Sequence, residues 1–211
     1  MLIIGAKGFA KEVLEILHQN NIFDNIAFFD DVNQDTPNFL YGSFPVLKSI
    51  EEAKHFFLEY SNQFTIGIGN PNLRFKIYES FIKIGGNLVS TISPNSDIGH
   101  FGNSIDEGNN ITSGVIITND VTLGKGVLVN LNSTIGHDCN IGDFVEICPN
   151  VNISGNCNIG DFTFIGTSAT ILPNLNIGKN VIIGAGAVVT KDVPDNVLVM
   201  GIPAKIIKEI K

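Results

Sequence analysis

A histidine followed by an aspartate, His137-Asp138, lies in the stretch TIGHDCNIGD, where the other residues are aliphatic, glycine or small and polar. A neutral imidazole accepts a proton from an attacking amine or hydroxyl, and an adjacent carboxylate orients the ring and stabilises its charged form. The pair therefore has the residue types of a general base. The alternative is a solvated histidine in a turn.

The sequence around this pair repeats with a period of six residues. From Ile105 to Val189, fifteen successive positions in that phase are Ile, Leu or Val, often followed by Gly. An α-helix does not have this period, and β-branched aliphatics separated by Gly, Asn and Asp favour short strands and turns. Three strands make one coil of eighteen residues, and stacked coils bury the aliphatic positions. The repeats predict a parallel β-helix of five coils. A phase slip predicts an irregular first coil at residues 100–108.

His137 and Asp138 are third and fourth in their hexad, which are turn positions that face outward. Eighteen residues, or one coil, separate His137 from Asn119 and from Gly155. We therefore expect these two residues to lie beside His137 on the neighbouring coils. Cys139 falls at an inward position, so it is not predicted to be a nucleophile for a covalent acyl-enzyme.

Composition excludes several other classes of function. The net charge of −8 and the absence of a basic cluster argue against a nucleic-acid partner. The N-terminus has neither a basic region nor a long apolar run, so we expect no signal peptide, no membrane span and a cytoplasmic location. The repeats contain only His100 and His137, so we expect no metal site. Three cysteines, nine residues apart, are predicted to be buried and without a chemical role: Cys139, Cys148 and Cys157.

Residues 1–90 show a different pattern, in which short apolar runs alternate with helical periodicity. Strands are predicted in MLIIG, IAFFDD and FTIGIG, and helices in GFAKEVLEILHQNN, SIEEAKHFFLEY and NPNLRFKIYESFIKIGG. This alternation indicates an α/β domain with a parallel sheet of Rossmann type. We expect two domains, a Rossmann-like domain at residues 1–90 and the β-helix with a C-terminal tail at residues 91–211.

Open α/β sheets bind ligands at the carboxyl ends of their strands. The segment GAKGFA joins a strand to a helix, where free N–H groups and the helix dipole attract a phosphate, although it lacks the full dinucleotide fingerprint. A nucleotide sugar and NAD are the two candidate ligands of this edge. The candidate substrate-binding residues are Gly5, Lys7, Gly8, Phe9, Asp30, Asp31, Gly69, Asn70 and Arg74.

The whole chain resembles the sugar acetyltransferases of the sialic-acid O-acetyltransferase family, which have a left-handed β-helix of hexapeptide repeats. The motifs that carry the resemblance are IIGAKGFAKEV, FFDD, IGIGNPNLR, GHDCNIGDF, ISGNCNIG and VVTKDVPDNVLVMGIPAKIIK. The best-understood branch of that family acetylates the 4-amine of UDP-linked amino-deoxysugars, as in bacillosamine synthesis. The resemblance implies a homotrimer, acetyl-CoA as donor, and active sites in clefts between neighbouring β-helices. It also implies that the domain at residues 1–90 binds a nucleotide sugar, in preference to NAD.

The resemblance also implies roles for individual residues. His137 matches the proposed base, Asp138 its partner, and Gly155 the glycine whose N–H contacts the thioester carbonyl. Family members usually have a second histidine that contacts the acetyl donor, but Glu146 occupies that position here. A surface carboxylate is an equal alternative for Glu146. Many members also have a histidine where Phe9 stands. The remaining positions that match the CoA groove are Gly166, Thr167, Gly184, Ala185, Ile202, Pro203 and Lys205.

We therefore predict an acetyl-CoA-dependent acetyltransferase that N-acetylates a nucleotide-linked 4-amino-deoxysugar by direct transfer. One alternative is O-acetylation of sialic acid or another glycan hydroxyl. Another is a non-catalytic trimeric partner of a sugar-pathway enzyme, which would follow if Glu146 abolished donor binding.

Overall fold

The protein was analysed as a computed structural model, which describes residues 1–33 and 35–210. The N-terminal part is a six-stranded sheet with the strand order β3-β4-β2-β1-β5-β6. All neighbouring strands are parallel except β3 and β4, which form an antiparallel hairpin at one edge. The strands are β1 (Leu2–Ile4), β2 (Ala27–Phe29), β3 (Phe39–Leu40), β4 (Phe44–Leu47), β5 (Gln63–Ile66) and β6 (Asn87–Leu88).

Three helices cover this sheet: α1 (Gly8–Gln19), α2 (Ile50–Glu59) and α3 (Pro71–Lys83). All three fall where the helical periodicity predicts them. The side chain of Asn70 accepts a hydrogen bond from the Leu73 N–H at 3.0 Å, and Pro71 occupies the first turn of α3, where its missing N–H costs nothing. The predicted Rossmann-type α/β fold is therefore confirmed, while the hairpin of β3 and β4 and the short strand β6 were not predicted.

The second part is a left-handed parallel β-helix with three flat faces. Each strand of the coils pairs in parallel with the strand one coil away, and most pairs are eighteen residues apart, such as Ile135 with Ile153. The first face consists of β7 (Thr91–Ile92), β10 (Asn110–Ile111), β13 (Leu128–Val129), β16 (Glu146–Ile147), β19 (Phe164–Ile165), β22 (Ile182–Ile183), β24 (Val197–Gly201) and β25 (Ala204–Glu209). The last two strands, β24 and β25, form an antiparallel pair at the end of the stack. The second face consists of β8 (Asp97–Ile98), β11 (Ile116–Ile117), β14 (Thr134–Ile135), β17 (Asn152–Ile153), β20 (Thr170–Ile171) and β23 (Val188–Val189). The third face consists of β9 (Ser104–Ile105), β12 (Thr122–Leu123), β15 (Asn140–Ile141), β18 (Asn158–Ile159) and β21 (Asn176–Ile177).

The repeated aliphatic residues fill the interior of this prism, as the period of six predicts. From Ile111 to Val189 they are buried, while Ile105 in the first coil is partly exposed. Seven residues rather than six separate Ile98 from Ile105, although both lie on strands that pair with the next coil. This extra residue explains the phase slip, and the structure extends the irregular first coil back to Thr91.

Three rows of turns form the edges of the prism, and we name each edge by the two faces that it joins. The second/third edge contains His137, because that residue lies between β14 and β15. The first/second edge contains Thr167, which lies between β19 and β20. In a triangular cross-section, the second/third edge is opposite the first face.

The N-terminal domain packs on the first face and on the third/first edge. The fully buried guanidinium of Arg74, on α3, donates to the Gly126 carbonyl and to Asn110 Oδ1 of the β-helix. On the same side, the ring of Phe75 makes edge contacts with Phe144 and Phe162, which stack on each other at 5.9 Å between ring centroids. The domain therefore lies on the opposite side of the prism from His137.

Candidate active site

His137 and Asp138 form a pair on an exposed turn. His137 Nδ1 lies 2.6 Å from Asp138 Oδ2, and 69% of the histidine side chain is exposed. Because Nδ1–H donates to this carboxylate, the neutral ring leaves Nε2 unprotonated and able to accept a proton. The arrangement therefore has the orientation that a general base requires.

Asp138 also has a residue type that suits the backbone conformation of the turn. Its φ angle is +59°, in the left-handed region that favours Gly, Asn and Asp. The equivalent turns on the adjacent coils hold Asp120 and Asn156, with φ angles of +57° and +59°. The residue type at position 138 is thus restricted by the fold before any chemistry is considered, and among these types only aspartate carries a charge.

Gly155 lies directly beside the imidazole ring, on the next coil. A Cβ added at Gly155 would be 2.6 Å from His137 Nε2, which means that only glycine leaves room for the ring in its present position. Among the described residues, the Gly155 N–H has no acceptor, because the ladder bond at this turn runs from the Asn156 N–H to the His137 carbonyl at 2.7 Å. A proton acceptor and a free N–H donor therefore lie together.

Asn119 lies on the coil on the other side, as predicted. Its carbonyl accepts a hydrogen bond from the Asp138 N–H at 3.3 Å. Its side chain is turned toward the first coil, where Oδ1 accepts from the Phe101 N–H at 3.3 Å. Asn119 therefore supports the turn that carries the His137-Asp138 pair.

The thiols do not provide a nucleophile. All three cysteines are buried, and Cys139 faces the interior, as predicted. Burial raises the pKa of the Cys139 thiol to about 11 and that of the Cys148 thiol to about 12. Both therefore stay protonated near neutral pH, which is consistent with direct transfer and not with an acyl-cysteine intermediate.

A cavity of about 900 Å³ opens at the carboxyl ends of β1, β2 and β5 in the N-terminal domain. The predicted segment GAKGFA forms one wall, and the ends of β2 and β5 form others. Seven of the nine predicted substrate-binding positions line this cavity, and Asn70 and Arg74 do not: the seven are Gly5, Lys7, Gly8, Phe9, Asp30, Asp31 and Gly69. The size and position of the cavity suit a nucleotide-sized ligand.

Asp30 stabilises the loop beside this cavity. Its carboxylate accepts hydrogen bonds from the backbone N–H groups of Val32 and Asn33, from the Asn33 amide and from the Thr36 hydroxyl. Burial raises the pKa of Asp30, but these hydrogen bonds outweigh it and hold the pKa below its ordinary value. The neighbouring Asp31 is exposed on the cavity wall.

The prediction that Arg74 binds substrate is wrong. Its side chain has no exposed surface, and its N–H groups donate to protein oxygens, including the carbonyls of Ile66 and Ile68. Burial lowers the pKa of Arg74 to about 10, against the opposing effect of the Glu146 charge. The strand-end motif indicated an arginine near the site, but it did not show that this face of α3 packs on the β-helix.

Glu146 is not the surface carboxylate that was one alternative, since only 8% of it is exposed. It lies on the first face, beneath the N-terminal domain, where Oε2 accepts a hydrogen bond from the Asn70 N–H at 2.6 Å. Burial raises the pKa of the Glu146 carboxyl above its ordinary value, although the Asn70 N–H and the charge of Arg74 oppose this shift. Its predicted contact with the donor remains a prediction.

The positions matched to a CoA groove form a separate group. Gly166, Thr167, Gly184 and Ala185 lie on the first/second edge, and Ile202 and Pro203 form the turn between β24 and β25, with Lys205 exposed on β25. Within one chain, this group and the His137-Asp138 pair are therefore on different edges of the prism. The structure does not bring them together unless two chains meet.

Sequence reasoning missed the cavity residues on α3, which include Leu73, Lys76, Ile77 and Ser80. Their spacing of three, one and three residues is that of one helical face, and this signal was available in the sequence. Within the described residues, no group of three His, Cys, Asp or Glu side chains could hold a metal ion. In the same part of the chain, no helix is long and apolar enough to cross a membrane.

The fold and this site define a class of protein, the hexapeptide-repeat transferases that have an added α/β domain. Residues 1–81 match the PglD N-terminal domain family, and residues 156–191 match the bacterial transferase hexapeptide family of six repeats. A comparison with curated proteins gives no match.

Solved structures match over almost the whole chain. Perosamine N-acetyltransferase from Caulobacter crescentus, solved as a histidine mutant in complex with CoA and GDP-perosamine, is 29% identical with a TM-score of 0.91, and the match covers 99% of this chain and 96% of that one. The acetyltransferase domain of PglB from Neisseria gonorrhoeae in complex with acetyl coenzyme A is 32% identical with a TM-score of 0.86, covering 98% of both chains. WeeI from Acinetobacter baumannii is 34% identical with a TM-score of 0.88, also covering 98% of both chains.

The chain belongs to this family of left-handed β-helix sugar acetyltransferases with a PglD-type N-terminal domain. It is an acyltransferase, which sets aside the alternative of a non-catalytic partner.

Proposed function

We propose that the protein transfers the acetyl group of acetyl-CoA to the amine of a nucleotide-linked amino-deoxysugar. The observation that carries this proposal is the His137-Asp138 pair with the free N–H of Gly155 beside it. Perosamine N-acetyltransferase, which binds CoA and GDP-perosamine, and the PglB domain, which binds acetyl coenzyme A, support the choice of substrates.

The chemistry follows from this geometry. The amine nitrogen attacks the thioester carbonyl carbon, and His137 Nε2 accepts the proton that the amine loses. The Gly155 N–H donates to the oxygen as it becomes negative, and Asp138 stabilises the charged imidazole. When the C–S bond breaks, the proton passes from the imidazole to the sulfur of CoA. All atoms are accounted for without a covalent acyl-enzyme.

We also propose that the active site is shared between chains of a homotrimer. The acceptor cavity lies in the domain packed on the first face, while His137 lies on the opposite edge of the same prism. A bound amine therefore does not reach the histidine of its own chain. A neighbouring β-helix that placed its second/third edge beside this domain would supply the base, and it would also bring together the two separated groups of predicted site residues.

The experiment is an assay of CoA release with acetyl-CoA and three acceptors, namely GDP-4-amino sugars, UDP-4-amino sugars and free sialic acid. We expect release with a nucleotide-linked amine and little release from the His137→Ala variant. Release only with sialic acid would favour O-acetylation. Equal rates for the wild type and His137→Ala would contradict the mechanism.

The shared site is tested by mixing two inactive variants. His137→Ala lacks the base, and Gly8→Trp fills the cavity, because the space around Gly8 is open and the residue lines the wall. If sites are shared, co-expressed chains form some sites with both an intact cavity and an intact histidine, so activity returns. Failure of mixed oligomers to recover activity would contradict sharing, and sedimentation analysis would show whether three chains associate.

A further inference from the structure

Glu146 holds the segment that forms one wall of the acceptor cavity. The residues Gly67, Ile68 and Gly69 follow β5 and line the cavity. Glu146 Oε2 accepts from the Asn70 N–H, and a Cβ at Gly69 would lie 2.7 Å from Oε1, so the carboxylate is in contact with two successive residues of this segment. The contact joins residues 76 positions apart in the chain.

The same segment is held from its other side by Arg74, which donates to the Ile68 carbonyl at 2.9 Å and also to the Gly126 carbonyl of the β-helix at 2.9 Å. Asn70 itself has a φ angle of 58° and a ψ angle of 105°, outside the left-handed helical region that Asn commonly adopts, so the surrounding contacts hold it in this conformation. The wall of the cavity is thus fixed to the β-helix by one anion and one cation, both buried.

Glu146 supplies an acceptor for the Asn70 N–H in a part-buried contact, so a side chain without an oxygen at position 146 would remove this hydrogen bond from the segment. The acceptor is Oε2, and Oε1 lies beside Gly69 of the same segment, where an added Cβ would be only 2.7 Å away. Glu146 is therefore committed to the N-terminal domain of its own chain, and not to an exposed groove.

We propose that Glu146 is a positioning residue for the acceptor, which holds residues 67–70 in the conformation that binds the nucleotide-linked amine. This inference rests on the proposed function, since it assigns the acceptor to the cavity. It predicts that the loss of Glu146 weakens use of the acceptor and leaves use of acetyl-CoA unchanged.

The test compares two variants of nearly equal size. Glu146→Gln keeps an oxygen acceptor for the Asn70 N–H, whereas Glu146→Met fills the space without one. We expect Glu146→Met to raise KM for the amino sugar by about 10-fold or more, as for the loss of a hydrogen bond to a charged group. KM for acetyl-CoA should stay within about twofold, and Glu146→Gln should stay close to the wild type. Hydrogen exchange at the Asn70 amide should be faster in Glu146→Met only.

Two further variants control this test. Glu107→Ala removes a carboxylate from the third/first edge, where it pairs with Lys125 at 2.7 Å and does not touch the segment, so it should change neither KM. Gly69→Ala displaces the Glu146 carboxylate from the opposite side and should raise KM for the amino sugar even if Glu146→Met does not fold.

A higher KM for acetyl-CoA with an unchanged KM for the sugar would overturn the inference and favour a donor contact. Unchanged exchange at Asn70 in Glu146→Met would also overturn it. A wild-type enzyme that acetylates none of the amino sugars would refute the proposed function instead, so the two failures are distinguishable.

Discussion

The contact between Gly155 and the ring of His137 gives a quantitative prediction for Gly155→Ala. The added Cβ would lie 2.6 Å from Nε2 and 2.7 Å from Cε1, and its three nearest neighbours are all atoms of this ring. Comfortable non-bonded contacts are about 3.5 Å, so the ring must move by about 1 Å. A displacement of about 1 Å at a reacting group costs about 10²-fold in rate. We therefore expect kcat to fall by about two orders of magnitude.

The fold should tolerate this substitution. Gly155 does not have a positive φ angle, so alanine adopts its backbone conformation without strain, and alanine retains the N–H that we propose as the oxyanion donor. Thermal unfolding of Gly155→Ala should thus resemble that of the wild type, and a loss of rate reflects the ring and not the stability of the coil.

A double-mutant cycle separates the two roles of this glycine. His137→Ala alone should lower kcat by about 10²- to 10⁴-fold, as for loss of a general base. Once the ring is absent, the methyl group of Gly155→Ala has no clash, so the double variant should have nearly the rate of His137→Ala. The assay is CoA release at saturating concentrations of both substrates. An equal loss from Gly155→Ala in both backgrounds would refute the reasoning, because the methyl group would then act on the thioester and not on the histidine.

Three other outcomes follow from contacts in the structure. Asp138→Asn should lower kcat by about fivefold, since an exposed ion pair contributes up to ~1 kcal/mol. The variant should fold, because Asn also adopts a positive φ angle. A loss of kcat as large as that of His137→Ala would contradict this prediction. Arg74→Met should lower the free energy of unfolding, measured in urea, by about 3–5 kcal/mol, because it leaves buried carbonyls without a donor and removes the opposite charge near Glu146. A change below ~1 kcal/mol would show that the buried cation is not required. Asp30→Asn should be destabilising at pH 7. The pKa of Asp30 is lower in the folded protein than its ordinary value of 3.8, so its carboxylate stabilises the fold at any pH above 3.8. This stabilisation is lost as the pH falls from 3.8 through the lower folded pKa, and the difference between the variant and the wild type should disappear over the same range. A difference in melting temperature that stays constant from pH 7 to pH 2.5 would contradict this origin.

The β-helix could be predicted from sequence in unusual detail because one physical constraint acts in every coil. The interior is narrow, so each sixth residue must be aliphatic, and the phase of that pattern fixes which residues face outward. This is why the outward position of His137 and its neighbours Asn119 and Gly155 could be predicted without a structure. The same constraint placed Cys139 in the interior.

The junction between the domains could not be predicted in the same way. Docking of α3 on the first face depends on contacts between residues far apart in sequence, such as Arg74 with Gly126 and Asn70 with Glu146. No local period encodes those contacts. A polar residue at the end of a strand is compatible with binding a ligand and with bridging two domains, and the sequence around Arg74 favoured the first of these, which is wrong.

The turns of the second/third edge have a consequence for how catalytic pairs can arise. Every coil requires a residue with positive φ there, and the chain uses Gly102, Asp120, Asp138, Asn156 and Asn174. Four of these five turns thus retain a short polar side chain, Asp or Asn, beside an outward-facing position. An exchange of Asn for Asp adds a carboxylate at no conformational cost, and the preceding position accepts a histidine without disturbing the interior. The architecture therefore supplies a position for half of an acid–base pair on four successive coils, so that such a pair can be gained, lost or moved along this edge by one or two substitutions.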